Sequence, residues 1–119
     1  MSNDNGKMRV ILEMGTGNDL HGSDYTKAAM RAVDDALHHS SLAFIRSLRI
    51  DKRNVDVEVT IGVQKPELVD VEKVKAKLPV GNVTVKTVKG GLDVPDPDNN
   101  DPAVIASAAI AVRVALPKG

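Results

Sequence analysis

The stretch VILEMGTGNDLHGSDYTKAAMRAV, residues 10–33, decides how the chain folds. Its first five residues are an apolar run that reads as a strand. Its last nine, Tyr25 to Val33, read as the start of a helix. Between them, Gly15-Thr16-Gly17-Asn18-Asp19-Leu20-His21-Gly22 sets three glycines, one carboxylate and one imidazole at a strand-to-helix turn. α/β proteins often hold ligands at such turns, so this is where the sequence places a site.

Working outward, residues 1–7 (MSNDNGK) read as a disordered lead-in. From Met8 the chain alternates, with Met8, Val10, Leu12 and Met14 on one side and Arg9, Ile11 and Glu13 on the other. That is the period of a strand with one buried face. After the glycines a helix begins near Ser23 or Asp24, either of which can cap its first turn. Ala29, Val33, Ala36 and Leu37 form its apolar stripe. A second short helical stretch is expected over residues 42–48.

Residues 54–63 (NVDVEVTIGV) give the clearest strand, with Val55, Val57, Val59, Ile61 and Val63 facing inward. A second helix is expected from Pro66 to Leu78, with Leu68, Val71, Val74 and Leu78 as its stripe. Val83 to Val88 reads as a third strand, and GGLDVPDPDNNDP (90–102) as a loop. In the last segment, Ala108, Ile110, Val112, Val114 and Leu116 alternate with Ala109, Ala111, Arg113 and Ala115, which argues for a fourth strand. The order β-α-β-α-β-β predicts an α/β (α+β) two-layer sandwich, a four-stranded sheet with two helices on one face. One domain over 8–116 and a tail at 117–119 complete the expected organisation.

Composition narrows the function classes. Sixteen basic and sixteen acidic residues give a net charge of zero, with no basic block for phosphates and few aromatics to stack on bases. Nucleic acid is therefore not an expected partner. There is no long apolar run for a membrane span, and the absence of cysteine fits a cytoplasmic protein. With one Tyr, one Phe and no Trp, the core rests on small aliphatic residues, which favours a homo-oligomer. Arg9, Glu13, Asp56, Glu58, Thr60, Thr84, Lys86 and Arg113 would occupy the uncovered face of the sheet, either solvated or packed against copies of the chain. Ala109, Ala111 and Ala115 would permit close approach there.

At the turn, Gly15, Gly17 and Gly22 are expected to aim backbone N–H groups at one point beside the helix N-terminus, shaping a pocket for a small anionic ligand. Ser23 and Lys27 would join it, Lys27 as counter-charge. Leu20 stands where a dinucleotide fingerprint needs glycine, and no Gly-Lys-Ser/Thr follows. Asp19 and His21 flank Leu20 and would form an acid–base pair, in a hydrolase or an isomerase. The alternative is a non-catalytic assembly or regulatory protein in which the motif is structural. Asp19, His21, Asp24, His38 and His39 match no standard zinc spacing, so no metal and no cofactor is expected; a metal-dependent activity using His21 and one of His38 or His39 is the third reading.

The run Gly15-x-Gly17-x-Asp19-x-His21-Gly22 resembles the signature of a small family of conserved hypothetical proteins, the "Lin" type. The likeness continues through Asp24-x-Thr26-Lys27-Ala28-Ala29-x-Arg31-Ala32-Val33, Ala36-x-His38-His39-Ser40-Ser41-Leu42, Ile61-Gly62-Val63, Gly90-Gly91-Leu92 and Asn100-Asp101-Pro102. It spans nearly everything from Met8 to Leu116. The element order also resembles one domain of the ring-opening amidohydrolases that act on cyanuric acid and barbiturate, which implies a trimer-like or higher oligomer.

Overall fold

The structure, a computed structural model, describes residues 7–38, 54–78 and 81–115. The expected short helix at 42–48, His39 and all of the lead-in except Lys7 lie outside them. Among the described residues, five strands and two α-helices follow in the order β1 (Met8–Asp19), α1 (Tyr25–His38), β2 (Val55–Val63), α2 (Val71–Lys75), β3 (Asn82–Lys89), β4 (Leu92–Val94) and β5 (Ala103–Val114). The sheet runs β1-β5-β2-β3, with the short β4 beside β5. β5 is antiparallel to β1, β2 and β4, and β2 is parallel to β3. The two-layer α+β class is as the periodicities predict. The fifth strand is an addition: Leu92–Val94 continues the sheet from within the segment expected to be loop.

The core lies between the sheet and α1. Val55, Val57, Val59, Ile61 and Val63 of β2 are buried, as are Val104, Ala106, Ala108, Ile110, Val112 and Val114 of β5. Against them α1 presents Tyr25, Ala28, Ala29, Ala32, Val33 and Ala36. The expected helix over Pro66–Leu78 is divided into a 3₁₀ turn, Pro66–Leu68, and α2. Asp70 causes the break. It holds an extended backbone, and its carboxylate accepts from the N–H groups of Glu72 and Lys73 at 3.1 and 3.4 Å, so it starts a new helix rather than continuing the old one.

Two expectations for β1 are corrected. First, Gly15 to Asp19 is not a turn. β1 pairs with β5 without interruption from Ile11↔Val112 to Asp19↔Val104. Gly15 and Gly17 lie on the covered face, directly beneath α1. A Cβ at Gly17 would collide with Ala32 N and sit 2.5 Å from Ala28 O; one at Gly15 would collide with Ala36 N and sit 2.5 Å from Ala32 O. The two glycines therefore let a helix backbone rest on a strand backbone, with alanines on the helix side of the same seam.

Second, the faces of β1 are exchanged. Arg9 pairs with Arg113 and Ile11 with Val112, so two steps on β1 match one on β5: a β-bulge at Val10. One extra residue reverses the alternation beyond it. Ile11, Glu13, Gly15, Gly17 and Asp19 consequently face the helix layer, while Leu12 and Met14 face the opposite side, 44% and 69% exposed.

β1 is an edge strand, and α1 closes part of that edge. Asp35 Oδ2 accepts from Thr16 N at 2.9 Å, and Arg31 Nη1 donates to Asn18 O at 2.7 Å. Two side chains one helical turn apart thus occupy backbone groups that could otherwise pair with a foreign strand.

Gly17→Ala should cost about 3 kcal/mol or more, because overpacking at the seam beneath α1 meets backbone rather than a movable side chain. Urea unfolding measures it. A loss below about 1 kcal/mol would show that α1 moves away without penalty.

Candidate functional site

The connection from β1 to α1 is Leu20 to Asp24, with positive φ at Gly22 (+88°) and Ser23 (+51°). Asp24, not Ser23, caps the helix: its carboxylate accepts from Lys27 N at 2.9 Å. Asp19, 4% exposed, is the one buried charged side chain among the described residues. Its Oδ2 accepts from Asp24 N at 2.9 Å, and its Oδ1 lies 3.7 Å from Arg31 Nη1. It fastens the end of β1 to the first turn of α1.

His21 does not share that environment. Its side chain is 87% exposed, and its Nδ1 lies 3.3 Å from Asp101 Oδ2. The other oxygen of Asp101 accepts from Gly22 N at 2.9 Å. The expected Asp19–His21 pair is therefore replaced by a His21–Asp101 pair, because the extended segment that would align the two side chains ends at Asp19. Lys27 lines a groove with Asp24, Arg31, Lys73 and Lys77. Of the predicted site residues, the structure brings together His21 and Gly22 around Asp101. It places Gly15, Gly17 and Asp19 in the packing beneath α1.

No group of three His, Asp or Glu side chains is gathered to hold a metal among the described residues. His38 Nδ1 instead lies 3.2 Å from Asp34 O, within its own helix. No described helix is long and apolar enough to cross a membrane.

Two residues that the sequence reading did not single out for a role complete this corner. Asp101 is one. The other is Asp93 on β4, which sits beside Val104 on the covered face, as Asp19 does from the other side. Tyr25, 5% exposed, donates its hydroxyl to Asp93 Oδ2 at 2.5 Å. Asp93 Oδ1 is buried with no hydrogen-bond partner among the described residues. Burial, and the bond to Asp93, push the Tyr25 hydroxyl up to about 12.

Among the described residues, the sheet's other face carries no helix. Paired residues lie side by side, so it reads as rows across β1-β5-β2-β3. The first row is Arg9, Arg113, Asp56 and Asn82; the second is Leu12, Ala111, Glu58 and Thr84. The third is Met14, Ala109, Thr60 and Lys86, and the fourth Thr16, Ser107, Gly62 and Val88. Asn18, Ile105 and Leu92 follow. Charge is concentrated at one end and largely satisfied within the chain. Lys7 pairs with Asp56 at 3.0 Å and Arg113 with Glu58 at 3.0 Å, and Asn82 Nδ2 donates to Asp56 at 3.1 Å. These donors hold the Asp56 carboxyl below the usual carboxylate range, the bond from Lys7 most of all. Toward the other end the rows become apolar and small, and a groove of about 540 Å³ crosses them.

A family model described as "Conserved hypothetical protein (Lin0512_fam)" matches residues 9–112. A crystal structure from Nostoc punctiforme, described as an FtsZ-like protein of unknown function, is 36% identical with a TM-score of 0.80. The match covers 92% of this chain and 97% of that one. Among curated proteins nothing matches.

The Tyr25–Asp93 bond predicts an alkaline transition. The folded protein holds the Tyr25 proton more tightly than the unfolded chain, where the ordinary value is 10.0. The bond's contribution is therefore present below about pH 10 and lost as pH rises toward 12. Tyr25→Phe should cost about 1–3 kcal/mol at neutral pH by leaving Asp93 unpaired and should flatten that alkaline decline. Urea unfolding across pH measures both. An unchanged decline in the variant would assign it to other groups.

Proposed function

We propose that this chain, which belongs to the Lin0512_fam family of conserved hypothetical proteins, is a non-catalytic assembly subunit. It associates with copies of itself through the uncovered face of its sheet. One observation carries this reading. Of the eight large apolar side chains exposed among the described residues, five (Leu12, Met14, Val88, Leu92 and Val94) lie on that face. Apolar exposure gathered on one face marks an interaction surface.

Three further features support a second copy as the partner. Arg113, Glu58, Asp56 and Lys7 are already paired within the chain, so covering them strands no lone charge. Ala109, Ala111, Ser107 and Gly62 in the two central strands leave room for a facing sheet. Four strands about 4.8 Å apart and about eight residues long make a platform of roughly 500 Å² in projection. Side-chain relief brings that to the order each partner contributes in a standard interface.

Light scattering tests the reading. Wild-type protein should run at a multiple of 12.7 kDa. Ala109→Arg should run as a monomer with an unchanged circular-dichroism spectrum, because it sets an unpaired cation mid-interface. Wild-type protein that stays monomeric at high concentration would end it.

A second reading keeps acid–base chemistry at the turn, with Asp101 orienting His21 in place of Asp19. The 3.3 Å contact between His21 Nδ1 and Asp101 favours it, since a carboxylate behind an imidazole is the usual arrangement for a general base. Inorganic phosphate serves as the anionic probe. It should shift the His21 ring resonances, and His21→Ala should change stability by less than about 0.5 kcal/mol while the remaining turn resonances no longer respond. Ring resonances indifferent to phosphate would remove this reading.

A further inference from the structure

We infer that the groove on the uncovered face is a binding site for a small uncharged molecule with an apolar body and an amide- or hydroxyl-type polar edge. The site deepens the assembly reading, because a second copy would roof it. Its lining argues for the ligand independently.

The groove arises from the order of side-chain sizes across the sheet. In two adjacent rows the outer strands carry large groups, Met14 on β1 and Val88 on β3. The central strands carry a methyl group at Ala109 and no side chain at Gly62. The outcome is a floor set between Met14 and Thr16 on one side and Val88 on the other, with a volume of about 540 Å³. Small-molecule sites occupy roughly 300–1,000 Å³.

Two hydroxyls stand on that floor, Ser107 on β5 and Thr60 on β2. They sit diagonally, since Ser107 pairs with Gly62 and Thr60 with Ala109. Neither has a hydrogen-bond partner among the described residues. Each hydroxyl both donates and accepts, so together they match a group that does the same, such as a primary amide or an alcohol. The charged groups are peripheral. Asp35 touches the β1 end, where its Oδ2 already accepts from Thr16 N. Lys86 stands beside Thr60 on β3, outside the lining. A net charge on the ligand would lose water without gaining a partner on the floor.

Benzamide and benzoate make the test, two flat molecules of one shape that differ in charge. Each is titrated into isotope-labelled wild-type protein while backbone amide resonances are followed. Benzamide should give saturable shifts centred on residues 60–62 and 107–109, and benzoate should bind at least about tenfold more weakly. Thr60→Val and Ser107→Ala, which keep the groove's volume, should each weaken benzamide, and Ala109→Leu should abolish its binding. Tighter binding of benzoate would assign the groove to an anion read by Lys86, and equal binding would show that the groove does not select against charge; either would overturn the inference. So would shifts elsewhere, no shifts, or hydroxyl variants that bind like wild type. Light scattering on the same samples separates the two readings. Benzamide mapping to the groove of a monomeric protein would leave this inference standing and remove self-association. An oligomer whose groove ignores benzamide would do the reverse.

Discussion

Everything on the covered side depends on backbone meeting backbone where α1 crosses β1. Gly15 and Gly17 admit the helix, and Ala28, Ala32 and Ala36 complete the seam from above. Side chains of ordinary size at these positions would lift α1 away from the sheet. The valines of β2 and β5 would then be covered less closely, in a core with few large groups to take up the slack. The seam also sets the edge. Because α1 lies so close, Arg31 and Asp35 reach the backbone of β1, and Arg31 also meets buried Asp19. One close approach thus fixes the helix, closes part of the exposed edge and anchors the corner that leads into α1.

That constraint explains why the glycine motif reads so differently in sequence and in space. Glycine between an apolar run and a helix ordinarily punctuates, and Gly15 and Gly17 look like a turn on that basis. Their spacing of two, continued by Asp19, is equally the period of a strand face. The clue was the matching run of alanines in α1, which says that something small must lie opposite. The regular parts were legible for plain reasons: β2 alternates without a fault, the last segment alternates around Arg113, and the alanine-rich stripe of α1 has one period. Two features had no local signal. The bulge at Val10 leaves no mark in a stretch that alternates cleanly on paper. Asp70 stands inside a good helical stripe and divides it through its carboxylate.

The candidate site was half legible. His21 and Gly22 belong to a polar corner, but the carboxylate that meets them is Asp101, eighty residues from His21 in sequence. No spacing rule reaches that far. Asp93 was hidden likewise in a segment whose Gly, Pro, Asp and Asn content reads as loop, although three of its residues add a strand to the sheet. The uncovered face was anticipated as a face and mistaken in its chemistry. It was expected to set alanines at 109, 111 and 115 among charged residues that include Glu13, and its polarity is a gradient from ion pairs to an apolar groove.

The bulge at Val10 works as a phase shift. Were β1 to alternate without it, Glu13 would stand on the uncovered face, and Leu12 and Met14 would press against the helix layer. The glycines could not then meet α1, since they share the phase of Glu13. A single extra residue near the start of the strand therefore settles two things at once: which side chains wall the groove, and whether the helix can seat. The composition of β1 specifies neither. A one-residue insertion or deletion elsewhere in the strand would leave its hydrophobicity almost untouched and turn part of it inside out, so the length of this segment carries as much information as its letters.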